Sequence, residues 1–410
     1  MARRPGGPTV GHVLPTHRPD PHGPEARTDV LVAGGGTAAL ELLLALEARL
    51  GGTAHVTLLT QDARYHHRPL AAYGGAVPDA ATVLRLDELA AEHGAGFVND
   101  ALASVEHRSD GTVVARTRSG AAIACRALVL AVGSRADDVL PGAIPLGARD
   151  GASRLRALAD EVRAGTVGRV AVVVPPGVSW TLPAYECALL LRHAGAAHDV
   201  EVQVLTAEHR PMAIFGEAIS ATLATLLRRR GIELRTRTRA EAFSEGRLWV
   251  PLEPTIAVDA AVAMPRLAGP AIPGVPADAE GFATVDDRGR VVALAEDEDP
   301  VAGIWAIGDG ADHPVKQGGL AVAQAETAAA DIAAWLGTGD ATPPPDGTLV
   351  LRAALLDGTG TLYLRADREE GGWRSTVSRE PLWWPPTKIA GGRLAALLAG
   401  PTEAPPTPVA

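Results

Sequence analysis

The chain has 410 residues, of which 47% are hydrophobic and 21% charged, and carries a formal net charge of −10. This is the balance of a globular protein with enough core for two or three domains. The acidic surplus, with no basic stripe to neutralise phosphates, excludes a nucleic-acid binder. No apolar run approaches the roughly 20 residues that a membrane span needs.

Residues 1–27 are rich in Pro, Gly, Arg and His and have no apolar core of the kind a secretory signal requires, so they read as a disordered tail. From Thr28 onward strand and helix patterns alternate, which predicts an α/β protein with parallel sheets. The first series has a strand over 29–33, an amphipathic helix over 37–50 and a strand over 55–60. Irregular sequence follows to 79, then a helical stretch over 86–93 and β-like runs over 111–118 and 121–132. A second series starts at 169, with strands over 170–174, 200–205 and 233–237 and helices over 184–193 and 217–230. Past the Pro- and Gly-rich 265–276 comes a strand over 303–307 and a helix over 320–336. The segment 342–346 reads as a linker. It leads to a hairpin over 348–366 and a Trp- and Pro-rich tail at 381–386.

The cysteines and lysines are few enough to read one by one. Cys125 and Cys187 are too few for a disulfide framework or a zinc cluster, which points to a reducing, cytoplasmic setting. Cys125 falls in a predicted strand and Cys187 in a predicted helix of the other series, so each reads as a buried structural thiol. Of 38 basic residues only Lys316 and Lys388 are lysine. Ammonium and guanidinium are not equivalent, so a compact amine at these two places is worth following. The plain reading of Lys388 is a surface charge beside the tail.

Gly34-Gly35-Gly36-Thr37-Ala38-Ala39 follows a strand and opens a helix, which is the pattern G-x-G-x-x-A. Gly34 allows the tight turn, Gly36 lets a pyrophosphate approach the backbone, and Ala39 keeps helix and strand close. The helix N-terminus at Thr37 and Ala38 offers N–H groups to the anion. The acid expected at the end of the second strand is replaced by Thr60, a weaker partner for a ribose hydroxyl, with Asp62 two residues on.

The turn of the second series departs further. In Val174-Pro175-Pro176-Gly177-Val178-Ser179-Trp180, Pro175 takes the place of the first glycine, Gly177 keeps the second and Trp180 stands at the third. Proline has no N–H, so two potential phosphate donors are missing, and residues 181–184 read as an insertion before the helix. Thr206 ends the next strand, with Glu208 only beyond it. The frame is that of a dinucleotide site and the phosphate cradle is filled.

Further motifs resemble those of the two-dinucleotide-domain flavoproteins, the pyridine nucleotide-disulfide oxidoreductase superfamily. Ala127-Leu128-Val129-Leu130-Ala131-Val132-Gly133-Ser134 resembles the segment that joins the two domains in that superfamily. Ile304-Trp305-Ala306-Ile307-Gly308-Asp309 resembles its second FAD motif. The loop Arg64-Tyr65-His66-His67-Arg68-Pro69-Leu70, the run Pro314-Val315-Lys316-Gln317-Gly318-Gly319 and the tail Trp383-Trp384-Pro385-Pro386-Thr387-Lys388 are similar to the branch of sulfide:quinone oxidoreductases and type II NADH dehydrogenases. The resemblance implies two Rossmann-like domains, the second inserted in the first. The FAD-binding domain is expected over 28–141 and 281–337, a degenerate NAD(P)-binding-like domain over 150–270 and a small C-terminal segment over 348–400.

It also implies FAD as cofactor. Gly34, Gly36, Thr37, Ala38 and Ala39 would lie at its pyrophosphate, with Thr60, Arg68 and Pro69 beside it. Gly133 would make the bend near it, and Gly308 and Asp309 would serve the ribityl side. Lys316, the tentative catalytic residue, would lie near the flavin ring with Gln317 and Gly318. The redox-active cysteine pair of the disulfide reductases is missing, and no cysteine stands in the C-terminal third where the sulfide enzymes keep one. The expected function is thus an FAD-dependent oxidoreductase passing electrons from a small donor to a quinone-like acceptor. Two alternatives stay open: an NAD(P)H-dependent enzyme with a non-standard pocket, and a flavin-binding partner protein without turnover. Residues 393–399 form a short amphipathic stretch, read as surface packing more readily than as a peripheral membrane contact.

Overall fold

The computed structural model describes residues 25–66, 83–137, 140–147, 151–293, 300–344 and 349–400. The predicted tail over 1–27, the loop carrying Arg68 and Pro69 and the linker over 342–346 lie wholly or partly outside them.

The chain opens on β1 (Ala26–Ala33), α1 (Thr37–Leu50), β2 (Val56–Leu59), α2 (Leu86–Glu92) and β3 (Gly96–Val98). Three strands follow, β4 (Leu102–His107), β5 (Val113–Thr117) and β6 (Ala122–Leu130). Val30 to Ala33 are fully buried. An unbroken apolar run of this kind is what the middle of a parallel sheet requires, since helices or loops cover both faces. β1 accordingly pairs in parallel with β2 on one side (Val30 opposite Val56) and with β6 on the other (Val30 opposite Ala127). α1 is apolar on nearly every face because it is covered on nearly every face, and it ends at Gly51 in the left-handed conformation.

The chain then leaves through β7 (Arg135–Asp137). β8 (Ile144–Pro145), α3 (Gly151–Ala164), β9 (Arg169–Val174), α4 (Leu182–Ala194) and β10 (Glu201–Thr206) begin a second, all-parallel sheet. α5 (Glu217–Arg229), β11 (Ile232–Arg235) and β12 (Ala260–Ala263) complete it in the order β8-β12-β9-β10-β11. The return strand β13 (Arg266–Ala268) pairs antiparallel with β7, Arg266 opposite Asp137, so the outgoing and incoming chains form one ribbon. α3 was absent from the sequence reading, although Leu155, Leu158, Ala159 and Val162 recur at helical spacing and are buried.

β14 (Ile304–Ala306) rejoins the first sheet, pairing in parallel with the C-terminal half of β6 (Ile304 opposite Leu128), while the N-terminal half of β6 pairs with β5. α6 (Gly318–Leu336) packs on α1 through an alanine-rich face. The expected hairpin is a three-stranded antiparallel sheet, β15 (Val350–Leu356), β16 (Thr361–Glu369) and β17 (Gly372–Ser378), and α7 (Arg393–Ala399) lies against α1. Leu351, Leu355, Leu362 and Leu364 of this sheet share one core with Tyr185, Cys187 and Leu191 of α4.

Candidate functional site

Three chain segments meet at the C-terminal ends of β1, β6 and β14, which lie side by side. In an open parallel sheet this edge is where ligands bind. Gly34 has φ +134° and donates its N–H to the Leu59 carbonyl at 2.8 Å, and a Cβ there would lie 2.1 Å from the Ala131 carbonyl oxygen. A Cβ on Gly308 would come within 2.9 Å of Ala38, and one on Gly310 within 3.0 Å of the Gly133 carbonyl oxygen. The glycine turn, the bend after β6 and the Gly308-Asp309 motif therefore lie against one another with little or no side chain between them.

Gly36 and Gly133 behave differently, because a Cβ on either meets nothing within 4 Å. Gly36 is the N-cap of α1, and no side chain caps the helix there. An open backbone beside uncapped helical N–H groups suits an anionic ligand. Ala38 and Ala39 are buried against the sheet, and the Thr37 hydroxyl lies 3.2 Å from the Tyr65 hydroxyl. Thr60 is buried over Gly35, its hydroxyl accepting the Asp62 N–H at 3.2 Å and its carbonyl accepting from Asn99. These features fit the pyrophosphate and ribose of FAD.

The run ahead of α6 closes the far side. Burial holds the Lys316 amine below the usual lysine range against the pull of Asp309 and Asp312. That amine donates to the Ala311 carbonyl and stands 3.9 Å from the centre of the Phe282 ring. Gln317 caps α6, its Oε1 accepting the Leu320 N–H at 3.2 Å, and its Nε2 donates to the Arg352 carbonyl of β15. Its side chain is therefore committed within the protein. Gly318 lies under Ile389 of the C-terminal segment, whose Cδ1 would be 3.0 Å from an added Cβ.

The second turn is shaped by more than its prolines. Pro175 is buried, Pro176 is exposed, and Trp180 packs on Phe215 at 5.6 Å between ring centres. Residues 182–184, read from sequence as part of an insertion, are the first turn of α4, which begins at Leu182 with Pro183 in the tolerated early position. The Thr181 hydroxyl donates to the Met212 sulfur at 3.3 Å instead of capping that helix. Glu208 is fully engaged. The Tyr185 hydroxyl donates to its Oε2 at 2.5 Å, the Thr206 hydroxyl donates to the same oxygen at 3.2 Å, and Glu208 returns its own N–H to Thr206. Burial, with the Glu208 charge, pushes the Tyr185 phenol up, so it stays a donor.

Other expectations change on the structure. Lys388 is no surface charge: its ammonium is buried and pairs with Glu186, itself fully buried. The aromatics Trp180, Tyr185, Trp383 and Trp384 go to separate places and line no common pocket. Tyr185 serves Glu208, Trp180 faces Phe215, Trp383 packs on Tyr363 at 5.0 Å, and Trp384 is partly exposed. Cys125 and Cys187 lie in the cores of different sheets, and burial pushes each thiol up to about 12. The sequence reading missed Glu41, Glu186 and the Tyr185–Glu208 pair. The available signal was an acid set among apolar residues near the start of each helix.

Comparison with solved structures gives matches along most of the chain. Sulfide:quinone oxidoreductase from Aquifex aeolicus aligns with a TM-score of 0.73 and 19% identity, covering 86% of this chain and 87% of that one. A ferredoxin reductase from Rhodopseudomonas palustris aligns at 0.63 and 22% identity, covering 83% and 82%. The putidaredoxin reductase–putidaredoxin complex aligns at 0.62 and 18% identity, covering 85% and 83%. At these identities the likeness is one of fold. A search of curated protein sequences gives no significant match. Among the described residues no helix is long and apolar enough to cross a membrane. The family model for pyridine nucleotide-disulphide oxidoreductases matches residues 28–330 of the 410, and the chain belongs to that FAD-binding oxidoreductase family.

Proposed function

We propose that the chain is an FAD-dependent oxidoreductase that takes electrons from a small donor other than NAD(P)H and passes them to a quinone-like acceptor, with no redox disulfide. The observation that carries this reading is the occupied carboxylate of Glu208. In a working nicotinamide site an acid near this strand end serves a ribose hydroxyl. Here both of its oxygens face donors of the protein, with Oε1 also 3.4 Å from the Ala213 N–H. Two prolines remove phosphate donors from the adjoining turn.

FAD, when bound, supplies the electron transfer itself. The chain's own residues bind and orient it. Gly34 sets the turn, Gly36 leaves the backbone open, and the N–H groups of Thr37, Ala38 and Ala39 would serve the pyrophosphate. Thr60, with Arg68 and Pro69 of the loop outside the described residues, would hold the adenosine half. Gly133 leaves room beside the cofactor, and Asp309 would accept from a ribityl hydroxyl. Lys316, Gln317 and Gly318 would lie near the flavin ring, where the N-terminus of α6 would supply partial positive charge. A shallow, mostly apolar recess lies between α1, α6 and the C-terminal segment, lined by Thr37, Glu41, Val322, Ile389, Leu394 and Leu398 among others. Its mostly apolar surface suits the approach of an apolar acceptor better than that of a charged one.

Anaerobic titration of the purified protein with NADH, NADPH, sulfide and a reduced quinone, following flavin absorbance, tests this. Reduction by sulfide or quinol and not by NAD(P)H is expected. Fast bleaching by either nicotinamide would overturn it and favour an NAD(P)H-dependent enzyme. A flavin that no quinone reoxidises would favour a partner protein without turnover.

A further inference from the structure

The two helices that follow the glycine-type turns carry the same buried acid at the same place. Counting Thr37 and Leu182 as first, Glu41 is the fifth residue of α1 and Glu186 the fifth of α4. Neither has any exposed surface. A carboxylate at such a depth persists only with partners. Both find theirs in the same 40-odd residues at the C-terminal end of the described chain.

Glu41 accepts the N–H groups of Arg393 at 2.6 Å and Leu394 at 2.9 Å, so it caps α7 from another element. The N-cap of α7 is Gly392, at φ +86°, and a Cβ there would lie 2.5 Å from the Glu41 carboxylate. Glu186 accepts the Leu356 N–H at 2.7 Å and pairs with the Lys388 ammonium, which also donates to the Ala354 carbonyl. Between the two clasps runs Ile389-Ala390-Gly391-Gly392, and Ile389 rests on Gly318 where α6 begins. The strap thus joins the helix of one turn to the helix of the other, and crosses the start of α6 on the way.

We propose that Glu186 and Lys388 are a positioning pair. They hold the 387–392 strap, and with it Ile389, at the edge of the site, so that the strap sets how the electron acceptor reaches the flavin. This rests on the preceding assignment of the α6 N-terminus to the flavin ring. It also gives a reason for one of the two lysines in a chain whose other basic residues are arginine: a compact ammonium fits between a carboxylate and a carbonyl in a buried space, where a planar guanidinium needs more room.

The test uses full-length holoprotein, unmodified and as Lys388→Met. Flavin reduced with dithionite under anaerobic conditions is mixed with a short-chain benzoquinone, and reoxidation is followed against quinone concentration. Hydrogen exchange is measured over 381–394 on the same samples. Lys388→Met should speed exchange in that segment about tenfold or more. It should also shift the quinone concentration for half-maximal reoxidation by about fivefold, with the limiting rate held within about twofold. If Lys388→Met does not fold, Glu186→Leu with Lys388→Met removes both charges together and the same two readings apply. Unchanged exchange in a folded variant overturns the clasp, and unchanged half-saturation with a loosened strap overturns its role in access. Protein purified without flavin would count against the flavin reading, while the exchange result would still decide the clasp.

Discussion

The Tyr185 hydroxyl donates to the Glu208 carboxylate at 2.5 Å, just past the C-terminal end of β10. A bound dinucleotide would have to displace a buried phenol and find other donors for its pyrophosphate. Each missing charge-assisted hydrogen bond costs about 1.5–3 kcal/mol, so the loss of two puts a micromolar site at roughly 0.1 mM or weaker. Calorimetry should therefore detect no tight binding of NADH or NADPH. A dissociation constant below about 10 μM for either would show that the pocket survives its blockers. Tyr185→Phe frees Glu208 but leaves Pro175 and Pro176 in the turn, and should not restore binding.

Gly34 and Gly36 should fail in opposite ways. Gly36 has an ordinary φ of −91° and open space above it, so Gly36→Val should fold with a normal circular dichroism spectrum and purify colourless. Gly34→Ala puts a methyl 2.1 Å from the Ala131 carbonyl at φ +134°, and should lower stability itself by a few kcal/mol. Full flavin content in Gly36→Val would show that the cradle lies elsewhere.

Changing both Cys125 and Cys187 to serine should leave flavin reduction and reoxidation rates within about threefold, or about 0.7 kcal/mol in barrier. Both thiols are buried and protonated at neutral pH, Cys125 with its sulfur 3.6 Å from the Val113 carbonyl, and they lie in separate cores. Burying two hydroxyls should lower the melting temperature instead. Lost turnover with fold and flavin retained would revive thiol chemistry.

Asp357 predicts an acid limit for the C-terminal sheet. Burial opposes its ionisation, but Arg379 at 2.5 Å and the donors of Thr359 outweigh that and hold its carboxyl at about 2. The folded value lies below the ordinary 3.8, so this group stabilises the fold above about pH 4, and the contribution fades as pH falls toward 2. Asp357→Asn should lower stability at pH 7 by about 2 kcal/mol and flatten the acid limb of a denaturation curve between pH 4 and pH 2. A melting temperature with the same pH dependence in both proteins would show that the Arg230–Asp357–Arg379 cluster contributes nothing.

The local signals were strong enough to place the frame. An apolar run at Val30–Ala33, a glycine turn and a helix beginning at Thr37 describe short-range constraints, and the structure has that strand and that helix. The second turn was legible in the same way: Pro175 and Trp180 stand at its first and third glycine positions, and a proline brings no N–H to a phosphate.

Pairings between distant residues could not be read this way. Glu208 meets Tyr185 only because α4 packs on β10 of the second sheet. Lys388 meets Glu186 across about 200 positions of sequence because the C-terminal sheet packs on α4. A lysine beside prolines and tryptophans looks like a surface charge until the core that swallows it is in place. Spacing and composition determine which backbone a segment can adopt, since those forces act within a few residues. Which buried charge finds which partner depends on how completed elements stack, and that was decided only by the tertiary packing.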